Sequence, residues 1–349
     1  MAPIHKYTVS ACSPELYPTI IVFGLLKWNA DDGVEIPPKM PFINGWGASD
    51  SVAAMENGSH PVPCVLDMIW LSITEQKFYS IWQKLDYKRI DNCLKTTDEK
   101  DNLVYDSLIL GLAPGGGVAL WAHGTLKATL LGWWRAENAE VDMSMVSPLN
   151  PSLTLRELTD FYLQEYPQVR NNLIRAGIPD FEIYNRLMTQ YSFRLTPLFY
   201  KWNEESQEWV EDNVGKNIEV LGLHSHSVDG TFHKLSDEYL QNQHTSGLID
   251  KVNLFLLRDK HEYEISLWLN SDSLASLIEN MQRFVGRGCF DILTYIDLDN
   301  KKIGLSIFFA SKGIPMHVNE DDFQYIIFKD DMEIKRSDNY SQRSGAWIW

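Results

Sequence analysis

The densest set of side chains able to do chemistry in this 349-residue chain is His224-Ser225-His226-Ser227-Val228-Asp229-Gly230-Thr231-Phe232-His233. Two histidines at i and i+2 on a strand project to one face, and Asp229 and His233 could return over it. Three ring nitrogens and a carboxylate suit zinc or a two-metal hydrolase. The same spacing also describes a polar turn with solvent-facing histidines. Gly111-Leu112-Ala113-Pro114-Gly115-Gly116-Gly117 has the glycine content of a phosphate loop. It lacks the Lys-Ser/Thr of such a loop, and strand residues follow it rather than a helix, so it reads as a tight turn. Gly45-Trp46-Gly47-Ala48-Ser49-Asp50-Ser51 does not make a nucleophile elbow. The neighbouring acids Asp31/Asp32, Glu204/Glu205, Asp321/Asp322 and Asp330/Asp331 read as solvated turn residues. Carboxylates that share acid–base work must face each other in a shielded cleft.

These residues need elements to position them. Residues 7–28 alternate and are broken by Pro14 and Pro18, and 29–63 hold much of the turn chemistry. Apolar or alternating runs predict strands over Cys64–Thr74, Gln76–Trp82, Tyr105–Leu112, Val118–His123 and Lys127–Trp134. Asp86 opens a short helix. From Thr154 the period becomes helical through Leu155, Leu158, Tyr162, Tyr166 and Val169, with Thr154 and Glu157 spaced as a capping box. Gly177-Ile178-Pro179 ends that stretch, a second helix covers Phe181–Gln190, and strands resume near Tyr191.

Composition narrows the class. Hydrophobic residues make up 44%, enough for a large core, while 31 basic against 47 acidic residues give a net charge of −16. That sign argues against nucleic acid and anionic membrane surfaces. No apolar run reaches the roughly 20 residues of a spanning helix. The four cysteines, Cys12, Cys64, Cys93 and Cys289, form no C-x-x-C pair and read as reduced thiols. Val9-Ser10-Ala11-Cys12 has the look of a lipoprotein cleavage box, but Pro3, His5 and Lys6 precede it where an apolar stretch would be needed. The alternation Tyr7, Val9, Ala11 predicts a first strand instead. The expected location is cytoplasmic, or periplasmic if the true start lies upstream. The 12 tryptophans read mostly as core, with Trp347 and Trp349 as contact residues.

Five short echoes in the same order suggest an internal duplication. They include Lys27-Trp28-Asn29 with Lys201-Trp202-Asn203, and Ser49-Asp50-Ser51-Val52 with Ser225-His226-Ser227-Val228. The first of these loops has no histidine. The fold class expected is α+β: two antiparallel-sheet-plus-helix units, 1–150 and 191–349, joined by a helical connector over 151–190.

Several stretches resemble the bacterial domain of unknown function 2931 family. They are Ser13-Pro14 with Tyr17-Pro18, Gly45-Trp46-Gly47, Trp70-Leu71-Ser72 with Glu75-Gln76-Lys77-Phe78-Tyr79, the stretch Gly111–Val118, and Ile178-Pro179 with Tyr184-Asn185-Arg186 and Tyr191. They span roughly residues 6–200, and the C-terminal half matches less clearly. The resemblance implies no catalytic residues. Many members look like lipoproteins, and some lie beside type VI secretion effector genes, which implies an immunity role.

The function expected is a non-catalytic protein-binding module with no cofactor, an immunity protein that neutralises a cognate toxin. Trp46 and Asp50, with His224, His226 and Asp229, are the expected partner surface. The alternative is a metal-dependent hydrolase using His224, His226, Asp229 and His233. A third reading is a structural or carbohydrate-binding module with exposed aromatic side chains.

Overall fold

Stretches in which nearly every residue is apolar, such as Leu108–Ala113 and Val118–Ala122, must be buried on both faces if they form strands. The computed structural model, which describes residues 3–36, 45–48, 59–211, 217–235, 243–285, 288–309 and 315–339, shows how. It divides into two compact units. Of the described residues, one unit runs through Met188 and includes Asp229–Thr231, and the other comprises Thr189–Val228 and those from Phe232 to Asn339.

The first unit contains β1 (Ile4–Lys6), β2 (Thr8–Cys12), β3 (Thr19–Lys27), β4 (Gly33–Glu35), β5 (Ser59–Pro61), β6 (Val65–Ser72) and β7 (Lys77–Lys84). Helix α1 (Tyr87–Leu94) follows, with Asp86 accepting from the Arg89 N–H at its start. Then come β8 (Ser107–Ala113), β9 (Gly117–His123), β10 (Lys127–Arg135) and β11 (Glu137–Ala139). The helices α2 (Met143–Val146), α3 (Leu155–Glu165), α4 (Pro167–Ala176) and α5 (Phe181–Leu187) complete the unit. The order β2-β8-β9-β10 makes one sheet stretch, β11-β7-β6-β3-β4 another, and β1 pairs with β5. Thr8–Cys12 lies parallel to Ser107–Gly111.

Alternation along these strands feeds three apolar clusters. Leu108, Leu110 and Leu112 join Leu66, Met68 and Trp70 of the other sheet in one cluster, to which Ile90 and Leu94 of α1 also belong. Ile109, Ala113, Ala119 and Trp121 point the other way and pack with Trp46, Tyr184 and Met188. On the far side of the second sheet, Ile20, Leu71 and Phe78 meet Leu155, Leu158 and Tyr162. The expected capping box forms: Glu157 N–H donates to Thr154 Oγ1 at 3.2 Å, and Thr154 N–H to Glu157 Oε2 at 2.9 Å. Helix α4 stops at Gly177, whose φ is 72°. Cys12 is buried in a strand, and the described cysteines are unbridged.

The second unit holds β12 (Tyr191–Asn203), β13 (Glu208–Glu211), β14 (Ile218–Ser227), β15 (Phe232–Leu235), β16 (His244–Ser246), β17 (Ile249–Arg258) and β18 (His261–Leu269). After helix α6 (Ser271–Val285) come β19 (Phe290–Asp297), β20 (Lys302–Phe308), β21 (Pro315–His317), β22 (Phe323–Lys329) and β23 (Met332–Arg336). Strands run β15-β14-β17-β18-β22-β23 and β13-β12-β19-β20-β21, with β16 on β12. Here too one pair is parallel, Phe193–Phe199 with Phe290–Ile296.

The expected α+β duplication is therefore corrected. Among the described residues strand accounts for about half and helix for about a fifth, in mixed sheets rather than small antiparallel sheets each covered by one helix. The physical reason lies in the first core. An eight-residue helix spans about 12 Å, while five strands spread over about 19 Å, so α1 cannot cover that sheet. The face is buried by the other sheet instead. The units share a parallel pair followed by a hairpin, and the order β4-β3-β6-β7-β11 is matched by β15-β14-β17-β18-β22, with β1 and β5 in the first unit and β13, β16 and β23 in the second lacking a counterpart. The helical stretch after Thr154 belongs to the first unit as far as Met188.

Candidate functional site

Four pieces of the first unit converge on a cleft of about 750 Å³: β7, the β10–β11 corner, the Pro114–Gly116 turn, and the start of α5 with the residues before it. Strand alternation puts Lys77 and Tyr79 on one face of β7. β11 pairs with the outer edge of that strand, Asn138 opposite Tyr79. The glycine stretch supplies a tight turn in which Gly115 has φ 75°, and a Cβ there would stand 2.9 Å from the Cβ of Phe181. Only glycine lets the turn approach α5 so closely.

One carboxylate ties these pieces together. Tyr79 donates its hydroxyl to Glu75 Oε1 at 2.9 Å, and the Gly115 N–H donates to Glu75 Oε2 at 3.1 Å. Burial pushes the Tyr79 phenol well above the ordinary tyrosine range and the Glu75 charge adds to this, against a smaller opposing effect of Arg135. Tyr79 thus stays protonated and donating. Asp180 accepts from the Glu182 N–H at 2.6 Å, and Glu182 accepts from the Asn185 amide at 3.3 Å. On the other wall, Arg135 lies over the Phe181 ring at 4.7 Å, and Phe181 stacks nearly parallel on Trp133, centroids 5.3 Å apart. The Trp133 indole donates to Asn185 Oδ1 at 3.3 Å.

A family model described as "Protein of unknown function (DUF2931)" matches residues 2–175. The chain belongs to this family. No curated protein and no solved structure matches it. Several of the family-like stretches meet in this unit. Tyr17 sits in the first of them, accepts from the Asn172 amide at 3.0 Å and donates to the Gly177 carbonyl at 3.1 Å, which fixes α4 to the unit. Glu75, Lys77 and Tyr79, together with Gly115, line the cleft, and so do Ile178 and Pro179 just beyond the matched segment.

The residues singled out from sequence fare differently. Trp46 is buried against Trp121 at 5.1 Å, with Trp133 and Tyr184 each at 6.0 Å, so it packs as a core residue and leaves little surface for a partner. Asp50 lies outside the described residues. His224 and His226 share one face of β14, His224 against Phe255 and His226 against Phe232. His233 pairs across from Ser225, so it points to the opposite face and is buried near His244, ring centroids 5.1 Å apart. Asp229 is fully buried, and its carboxylate accepts from Thr231 N–H at 3.0 Å and Thr231 Oγ1 at 2.7 Å within its own turn. The structure does not gather these four into one ligand set. Among the described residues no group of three or more His, Cys, Asp or Glu is placed to hold a metal ion.

Sequence reasoning passed over Lys77, Arg135 and Phe181. Their one signal was position: Lys77 falls inside a family-like stretch, and Arg135 directly follows the Trp133-Trp134 pair.

The helical layer of the same unit has a second feature. Helices α3 to α5 bury Thr159, Val169, Asn172 and Tyr184. Their outer side leaves Phe161 54% and Ile174 78% exposed, with Ile178 and Ile183 exposed beside them in sequence. Among the described residues no helix is long and apolar enough to cross a membrane.

Proposed function

We propose that the protein works by binding a protein partner, as an immunity protein that occludes a cognate toxin. The observation that supports this is the outer side of α3–α5. Phe161 of α3 and Ile174 of α4 are exposed there, with Ile183 of α5 partly so, on a chain of net charge −16. Covering what remains exposed of such a side chain gains a part of the about 1.5–3 kcal/mol of full burial, and large apolar groups on soluble proteins concentrate where partners dock. An acidic chain also draws a basic partner in faster than diffusion alone. The neighbourhood implied by the family resemblance supplies the class of partner.

The test is co-expression with the product of the adjacent gene. A stable complex and restored growth are expected. Phe161→Asp combined with Ile174→Asp should weaken the complex by about tenfold or more, the loss of about 1.4 kcal/mol, with the circular dichroism of the free protein unchanged. No complex and no rescue by the wild-type chain overturns the reading.

A further inference from the structure

We propose that the outer face of the second unit's sheet, around His224, His226, Lys234 and Lys251, docks a short acidic segment of a protein partner and holds it more tightly below neutral pH. This goes beyond the reading above, concerns the other unit and does not depend on it. Strand register builds the patch. His224 and His226 stand two apart on β14 and share a face. Lys234 of β15 lies directly opposite His224, and Lys251 of β17 directly opposite His226. Four basic side chains therefore gather within about 10 Å across the strands and about 7 Å along them. His226 and Lys234 are exposed, and His224 and Lys251 half-buried. Among the described residues neither lysine has a carboxylate within 4.0 Å. The acid that faces the patch is Glu264 of β18, whose Oε1 already accepts from the Asn253 amide at 3.3 Å and the Ser266 hydroxyl at 3.2 Å. Glu219 and Glu262 share this face two rows further along, opposite Leu257.

The size of the patch selects the partner. A chain of net charge −16 repels an extended anionic surface such as a bilayer or a nucleic-acid duplex. At physiological salt, charges more than about 8 Å apart are largely screened, so a compact group of carboxylates responds to the four cations rather than to the distant acids. Phe232 stacks on His226 at 5.9 Å and Phe255 lies against His224 at 4.8 Å, so apolar area adjoins the charges. A protein segment offers apolar side chains between its carboxylates, and an inorganic anion does not. The histidines make the docking pH-dependent. Protonating them sets like charges directly opposite each other, an arrangement that costs energy. Burial first and the lysines second hold both imidazoles below the ordinary 6.5, with Glu264 opposing at His224. Carboxylates laid over the patch favour the protonated forms, so binding takes up protons and strengthens as pH falls.

Titration calorimetry of the full chain with an acetylated, amidated pentapeptide of four glutamates around one phenylalanine tests this, with the lysine counterpart as control. Saturable binding about tenfold tighter at about pH 5.5 than at about pH 7.5 is expected. Proton uptake, read from two buffers of different ionisation enthalpy, should accompany it. Lys234→Gln combined with Lys251→Gln should weaken binding by about tenfold or more. His224→Gln combined with His226→Gln should hold the affinity at the lower pH down to that at the higher one. Circular dichroism should be unchanged in both variants. Lys88→Gln, on α1 of the first unit, should bind like wild type. Failure of the glutamate peptide to saturate at about 1 mM at the lower pH, equal binding of the lysine peptide, a preference for phosphatidylserine vesicles over the peptide, or an undiminished pH dependence in the histidine variant overturns the proposal. The assay needs no toxin, so its outcome is separate from growth rescue and from the toxin-binding reading.

Discussion

A histidine that must shed water to fit its surroundings holds a proton less firmly than one in solution. His123, His224 and His226 are in this position. Burial pulls each below the ordinary 6.5, least securely at His226, whose side chain is more than a third exposed; Lys234 adds to the effect at His224 and His226, Lys251 adds at His226, and Asp106 at His123 and Glu264 at His224 partly offset it. The sign follows from linkage. The unfolded chain takes up protons near 6.5 before the folded chain does, so stability falls as pH drops through that value and levels off once the folded histidines are also charged. The melting temperature should therefore decline between about pH 7.5 and 5.5, and the His224→Gln/His226→Gln variant should show a shallower decline. A variant with the same slope as wild type would rule these two residues out. The two histidines were legible in the sequence as a pair on one strand face. Their failure to meet His233 was not, because that depends on Ser225 rather than His226 lying opposite it. Trp46 was misjudged for a related reason: a turn-rich stretch reads as surface, and only the distant Trp121, Trp133 and Tyr184 make it core.

Local rules predicted individual elements well. The starts of α1 at Asp86 and α3 at Thr154, the stop at Gly177 and the hairpin around Pro114–Gly116 are set by side chains within a few residues of each boundary, so the sequence shows them directly. Replacing Thr154 by Ala removes the hydroxyl that accepts the Glu157 N–H and should cost about 1 kcal/mol. Faster amide exchange in the first turn of α3, with β8 and β9 unaffected, is the expected readout; unchanged exchange would show that tertiary contacts alone hold that turn. Pairing between elements was not legible. Thr8 aligns with Ser107 and Phe193 with Phe290, and no periodicity within either strand encodes a partner a hundred residues away or its direction. The α+β expectation failed there, because sheet-on-sheet burial and helix-on-sheet burial call for the same apolar residues. The cleft is similarly non-local, since Lys77, Arg135 and Phe181 come from three separate stretches.

At the scale of the molecule, the first unit is not a continuous piece of chain. Its indole at Trp121 donates to the backbone carbonyl of Asp229 at 2.9 Å. Gly47 and Gly230, with φ of 73° and 80°, approach so closely that a Cβ on Gly47 would stand 2.6 Å from the Gly230 Cα. A fragment ending at Met188 lacks both contacts. Its buried indole N–H loses its acceptor, which should lower stability by about 1–3 kcal/mol relative to the same unit in the full chain. Calorimetric comparison of the fragment with the whole protein checks this, and an identical transition would mean that the three residues contribute nothing.

The same discontinuity bears on biosynthesis. Domains usually mature in the order in which they leave the ribosome. Here the pocket around Trp121 has to wait for residues encoded some forty codons after Met188. Until then the nascent protein carries an uncapped indole and an unfilled seat beside Gly47, and the N-terminal half cannot finish maturing before a three-residue turn from the C-terminal half arrives.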